Sequence, residues 1–266
     1  MTINDGAARI TPYSSRTLRG DRWWLSSATT SAVLGVFLIY TIARVFLRRW
    51  YWVNDYHYLT PLYSPCLSQS CVPGSTHFGT PLGHFPFPVP LAILSFAIIL
   101  GFRGSCYYYR KATYRSFLLS PPACAVREPA RSYRGESVFP LIVQNAHRYF
   151  LYLGTPLLLV NTYDAGLAFF PEHGGFGVGL GSLLLLLNAS GLWLYTLSCH
   201  SCRHIVGGRL NNFSRHPIRY RFWTFVSLLN GRHPQIAWTS LIIVMVVDFY
   251  IMGVSADWIR DPRFYN

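Results

Sequence analysis

The 266 residues are 51% hydrophobic and 17% aromatic but only 12% charged. Soluble domains carry about 25% charged residues, so the composition excludes an ordinary soluble globule. The 23 basic residues, all but one arginine, outnumber 10 acidic ones to give +13, and they bracket apolar runs instead of lining a face. That pattern argues against a nucleic-acid binder and suits a basic membrane surface that meets an acidic soluble partner.

Residues 1–22 are polar and contain Arg9, Arg16, Arg19 and Arg22. The apolar run that follows is too long for a signal-peptide core, so a cytoplasmic tail is expected instead of a secretory leader. About 20 apolar residues cross a bilayer. Five segments meet that requirement, at 23–47, 88–109, 138–161, 175–205 and 236–256. The expectation is an all-α integral membrane bundle of five transmembrane helices, forming a single domain over 1–266.

The basic residues also orient it. Four lie in the tail, seven between spans two and three (Arg103 to Arg134) and six between spans four and five (Arg203 to Arg232). None lies between spans three and four, and only Arg48 and Arg49 open the loop after span one. The positive-inside rule then puts the N-terminus in the cytoplasm and the chain in the cell membrane. Trp23, Trp24, Trp50, Trp52 and Trp258 fall near span ends, as interfacial anchors do.

The outer loop, 50–86, contains Cys66 and Cys71 in PCLSQSC. On an oxidising side they suit a disulfide stapling the loop better than they suit a metal. The other four cysteines, Cys106, Cys124, Cys199 and Cys202, fall on the inner half with His147, His200, His204 and His233. Any one such thiol alone is more often a small hydrophobe than a ligand. Their shared depth changes the balance. His147 lies nine residues into span three, about 13 Å at 1.5 Å per residue, and His200 and Cys106 reach comparable levels.

In CHSCRH, Cys199 and Cys202 share one helix face, as do His200 and His204. Arg203 separates the second cysteine from His204, which rules out the covalent haem motif. A structural zinc ion would not need membrane depth. Two centres remain open. One is haem b between two histidines, with Arg148, Arg203 or Arg209 near the propionates. The other is a Rieske-type 2Fe–2S cluster with two cysteines on one iron and two histidines on the other. The plainer alternative is that these histidines line a quinone pocket or hydrogen-bond within the bundle. Arg148 and Asp248 are ionisable within spans and hence functional candidates; Asp248 fits either a proton path or the capping of a polar cluster. A transporter would show repeats or paired broken helices, and the five spans show no such repeat.

CYYYRKATYRSF (106–117), SPPACAVREP (120–129), FPLIVQNAHRYF (139–150), CHSCRHIVGGRLNNFSRHPIRYRFW (199–223) and LNGRHPQIAW (229–238) resemble the membrane-anchor subunit of actinobacterial succinate dehydrogenase, respiratory complex II. The likeness covers roughly residues 100 to 256. It implies a five-helix anchor that docks a flavoprotein subunit and an iron–sulfur subunit and delivers electrons from succinate to menaquinone or another quinone. It further implies a membrane-embedded Rieske-type 2Fe–2S cluster in place of haem b. The usual Rieske loop pattern is absent, so the ligands must come from separate helices. The expected set is Cys106 and Cys124 on one iron, with His147 and His204 on the other; His200 and Cys199 stand in reserve. His233, Arg232 and Trp238 are expected near the quinone, and Tyr107, Tyr108 and Tyr109 in packing and partner contact. The alternatives are a haem b anchor and a redox-silent tether at the quinone site. No flavin or dinucleotide fingerprint is present, so succinate chemistry itself is expected elsewhere.

Overall fold

The computed structural model describes residues 19–86, 89–120, 122–126, 137–139, 141–208 and 210–265. Most of the tail, with Arg9 and Arg16, lies outside them, as do Arg127, Arg131, Arg134 and Arg209. Within them the chain is mostly helical: α1 (Leu25–Leu47), α2 (Ile93–Gly104), α3 (Tyr107–Phe117), α4 (His147–Leu167), α5 (Leu180–Leu197), α6 (His200–Gly207), α7 (Pro217–Asn230) and α8 (His233–Ser255). Two small antiparallel ladders close one end, β1 (Trp52–Val53) with β2 (Tyr58–Leu59) and β3 (Val178–Gly179) with β4 (Arg263–Tyr265).

Among the described residues, three helices are long and apolar enough to cross a membrane: α1, α5 and α8. α2 is apolar but has only 12 residues. α4 has 21 residues, and its polar members include His147, Asn161 and Asp164, all buried. α8 is the central element. It buries Ala237, Leu241, Val244, Val247 and Ile251, packs along α5 and touches α1, while α4 packs on α5 and α2 on α4. α2 and α4 approach so closely at Gly101 that a Cβ there would fall 2.2 Å from the Phe150 ring.

The helices depart from the expected spans in four places. Span two is not continuous: α2 stops at Gly104, Ser105 and Cys106 turn, and α3 begins. Cys106 has φ −61° and ψ 131°, an extended residue that acts as N-cap to α3. Span four breaks in the same manner: Cys199, at φ −64° and ψ 141°, caps α6. Span three begins later than expected, as a 3-10 turn at Leu141–Ala146 that runs into α4. α7 was not expected as a helix. Its Pro217 at the first position supplies a preset φ, and its apolar residues alternate with Arg219 and Arg221, which hides a helical period from a hydropathy window.

At the ladder end, residues 48–86 form a compact cap. Cys66 and Cys71 are disulfide-bonded, and Tyr51 stacks on Tyr63 at 4.2 Å. Burial pushes the Tyr63 phenol up to about 12. Beneath the cap lies an ion pair. Arg44 is 2% exposed and Asp248 fully buried; Arg44 Nε donates to Asp248 Oδ2 at 2.7 Å, and Tyr40 donates to the same oxygen at 2.7 Å. Asp248 thus caps a polar cluster. A second buried carboxylate, Asp164, accepts from Ser64 and pairs with His77 Nδ1 at 2.7 Å.

A crossed Cys/His quartet as candidate redox site

Both helix breaks use the same dipeptide, Ser105–Cys106 and Ser198–Cys199. Each serine hydroxyl has one proton and spends it locally: Ser105 Oγ donates to the Gly101 carbonyl and Ser198 Oγ to the Tyr195 carbonyl at 3.0 Å. Their lone pairs remain for an imidazole. Ser105 accepts from His147 Nδ1 at 2.9 Å, and Ser198 accepts from His233 Nδ1 at 2.7 Å. With Nδ1 protonated in both rings, both Nε2 atoms present bare lone pairs.

Those lone pairs face sulfur, and the pairing crosses over. His147, tied to Ser105, points Nε2 at Cys199 Sγ, 2.8 Å away. His233, tied to Ser198, points Nε2 at Cys106 Sγ, 3.2 Å away. Each ring is also held flat: His147 stacks on Phe102 at 4.8 Å and 5°, and His233 on Tyr195 at 5.3 Å and 18°. All four side chains are buried. Among the described residues, no three His, Cys, Asp or Glu side chains gather as the ligand group of one ion; the arrangement is two Cys–His pairs.

The four residues occupy equivalent places. Cys106 and Cys199 are the N-caps of α3 and α6, while His147 and His233 are the first residues of α4 and α8. The N-termini of α3, α6 and α8 therefore lie at the quartet, while α4 continues from the 3-10 turn, and the N–H ends of those three helices favour negative charge there. Ser201 N–H already donates to Cys199 Sγ at 3.3 Å.

The quartet forms the floor of a groove of about 780 Å³, within the range of small-molecule sites. Trp238, Tyr108 and Ser27 stand on its walls, with Arg110, Lys111 and Arg115 among its basic members. Trp238 Nε1 donates to Tyr108 Oη at 2.8 Å. Tyr109 turns inward and donates to the Ala237 carbonyl at 2.7 Å, whereas Tyr107 is exposed.

A match to the family model for actinobacterial succinate dehydrogenase subunit SdhC extends over residues 25–257. The chain belongs to this family. The succinate dehydrogenase subunit is also similar to a chain of the Mycobacterium smegmatis Sdh1 complex in the apo form, with 53% identity, 98% of each chain covered and a TM-score of 0.89. None of the curated proteins matches it.

Of the residues expected from sequence, Cys106 and His147 lie in the quartet, joined by Cys199, the reserve cysteine, and by His233, expected at the quinone. His200 lines the same groove but is exposed. His204 is exposed and contacts Arg148, its Nδ1 lying 2.8 Å from a guanidinium nitrogen. Cys124 is exposed, its carbonyl accepting from Arg19 at 2.9 Å. Cys202 is half-buried and packs against the quartet's hydrophobic cluster. Arg232 is exposed in the turn between α7 and α8, and Trp238 is half-buried in the groove wall. The serines and Arg103, a buried neighbour of the quartet, were not among the expected residues. The signal for the serines was present but not specific: Ser–Cys occurs at 105–106 and 198–199, but also at 201–202.

Proposed function

We propose that this subunit of succinate dehydrogenase spans the membrane five times, through α1, α2, α4, α5 and α8. Its basic end faces the cytoplasm and docks the flavoprotein and iron–sulfur subunits. Electrons from succinate then reach a quinone by way of a Rieske-type 2Fe–2S centre. Cys106, Cys199, His147 and His233 would hold that centre, a set that keeps Cys106 and His147 of the expected ligands and takes Cys199 and His233 in place of Cys124 and His204. Such a cluster supplies a one-electron relay.

The observation that carries the reading is the crossed pairing itself. Two thiols and two imidazoles are the donor set of a Rieske-type centre, and their contacts are already sulfur to unprotonated nitrogen. Serine hydroxyls accept from both Nδ1–H groups, which is the outer hydrogen bond that metal-bound histidines require. Phe102 and Tyr195 fix the ring planes. Haem b would have the two Nε2 atoms facing one iron from opposite sides, whereas here each faces a sulfur, so the geometry favours the mixed set. The groove beside it suits a quinone ring against Trp238 and Tyr108, and Arg110, Lys111 and Arg115 suit an acidic docking partner.

Low-temperature EPR with visible absorption on the dithionite-reduced complex tests this. A Rieske-like signal that disappears in Cys199→Ala, with no haem α-band, is expected. A reduced haem band without that signal would overturn the cluster.

A further inference from the structure

Arg103 lies in α2, three residues before Cys106, and is 4% exposed. Its guanidinium donates to Tyr109 Oη at 3.1 Å and to Ser240 Oγ at 2.8 Å, and it lies over the Tyr195 ring at 4.6 Å. Every one of those partners is neutral. Among the described residues no carboxylate pairs with it, whereas Arg44, also buried, has Asp248 at 2.7 Å. A buried cation is costly in protein and more so at membrane depth unless an anion accompanies it.

The geometry points to the quartet as the place of that anion. Arg103 lies on one face of the region around Tyr195, whose ring stacks on His233 at 5.3 Å, so the fixed charge sits about one aromatic ring from the proposed ligands. The N-termini of α3, α6 and α8 add positive potential there. Two thiolates and two sulfides balance two ferric ions, so a cluster held there by neutral imidazoles is uncharged when oxidised and gains its negative charge on reduction, the state that Arg103 would accompany.

We propose that Arg103 is a positioning residue for electron transfer, a permanent counter-cation that raises the reduction potential of the centre at Cys106, Cys199, His147 and His233. This rests on the reading of that quartet as a 2Fe–2S site. One electron arriving from the iron–sulfur subunit adds one negative charge at the centre, and a guanidinium at fixed distance in a low-dielectric interior stabilises the reduced form more than the oxidised. Arginine keeps its proton at any working pH, so the bias does not titrate away.

The test is a potentiometric EPR titration of the purified whole complex. Arg103→Met deletes the charge. Ser240→Asp keeps the guanidinium and places a carboxylate beside it. Arg103→Lys keeps the charge. The midpoint potential of the membrane centre is expected to fall in Arg103→Met and in Ser240→Asp, and to stay near wild type in Arg103→Lys. A signal with a wild-type midpoint in Arg103→Met or Ser240→Asp overturns the proposal. Should Arg103→Met fail to assemble, Ser240→Asp decides, because it leaves the arginine and its aromatic contacts in place. A wild-type complex with no membrane-centre signal is a different result: it removes the cluster reading, and this proposal with it.

Discussion

Removing Asp248 alone should destabilise the subunit more than removing Asp248 and Arg44 together. Asp248→Ala strands a guanidinium that is 2% exposed, and Arg44→Met strands a carboxylate with one oxygen, Oδ1, that has no hydrogen-bond partner among the described residues. Breaking a buried pair from one side costs about 3–5 kcal/mol, whereas exchanging both charges for apolar groups is often close to neutral. Here the double change is not free. Arg44 also donates to the carbonyls of Arg49 at 3.1 Å and Trp50 at 3.2 Å, and each hydrogen bond lost costs about 0.5–1.5 kcal/mol. The single variants should thus each lose about 3–5 kcal/mol, and Arg44→Met with Asp248→Leu only about 1–3 kcal/mol. At roughly 2–4 °C per kcal/mol for a chain of this size, each single change lowers the melting temperature by about 6–20 °C. Near-UV circular dichroism on detergent-solubilised complexes at one scan rate reads the four members of the cycle. A double variant that loses the sum of the two singles would refute the buried pair as the source of the stability.

Ser105→Ala or Ser198→Ala should release one imidazole from its fixed tautomer and lower metal affinity about 10–100-fold; iron content per complex after dialysis against a chelator checks this, and unchanged iron would count against the serines. Cys199→Ser should abolish the membrane-centre EPR signal while Cys124→Ser leaves it intact; the reverse pattern would return the ligand role to Cys124. The Tyr63 phenol, raised to about 12 by burial, stays protonated in the folded cap while the unfolded chain ionises near 10. The unfolded state then binds fewer protons, so stability falls as pH rises from about 10 to about 12, by up to roughly 3 kcal/mol. Alkaline unfolding followed by tyrosinate absorbance should lose that component in Tyr63→Phe.

Much of this architecture was legible because it rests on composition. The apolar runs marked α1, α5 and α8, and the arginine-rich connections marked the end where the quartet lies. The disulfide followed from two cysteines five residues apart in a Pro- and Gly-rich loop. The breaks at Cys106 and Cys199 were not legible from hydropathy, since an apolar window does not register one extended residue. The ligand set suffered for the same reason. Depth counted along an unbroken helix could not tell which of His200, His204 or His233 turns inward, and the crossed pairing depends on how α4 and α8 start. Arg44 was hidden inside an apolar run because its partner, Asp248, lies 204 residues away.

The place of the quartet at helix beginnings bears on how the subunit is built. None of the four residues lies in the middle of an α-helix, where its place would be fixed as soon as that helix formed. Two cap α3 and α6 and two open α4 and α8, so the site exists only when four separate segments have come to rest against one another. The two Cys–His contacts and their serine supports hold those segments in register. Insertion of a metal centre would then be the last act of maturation, and its presence would certify that the whole bundle had closed.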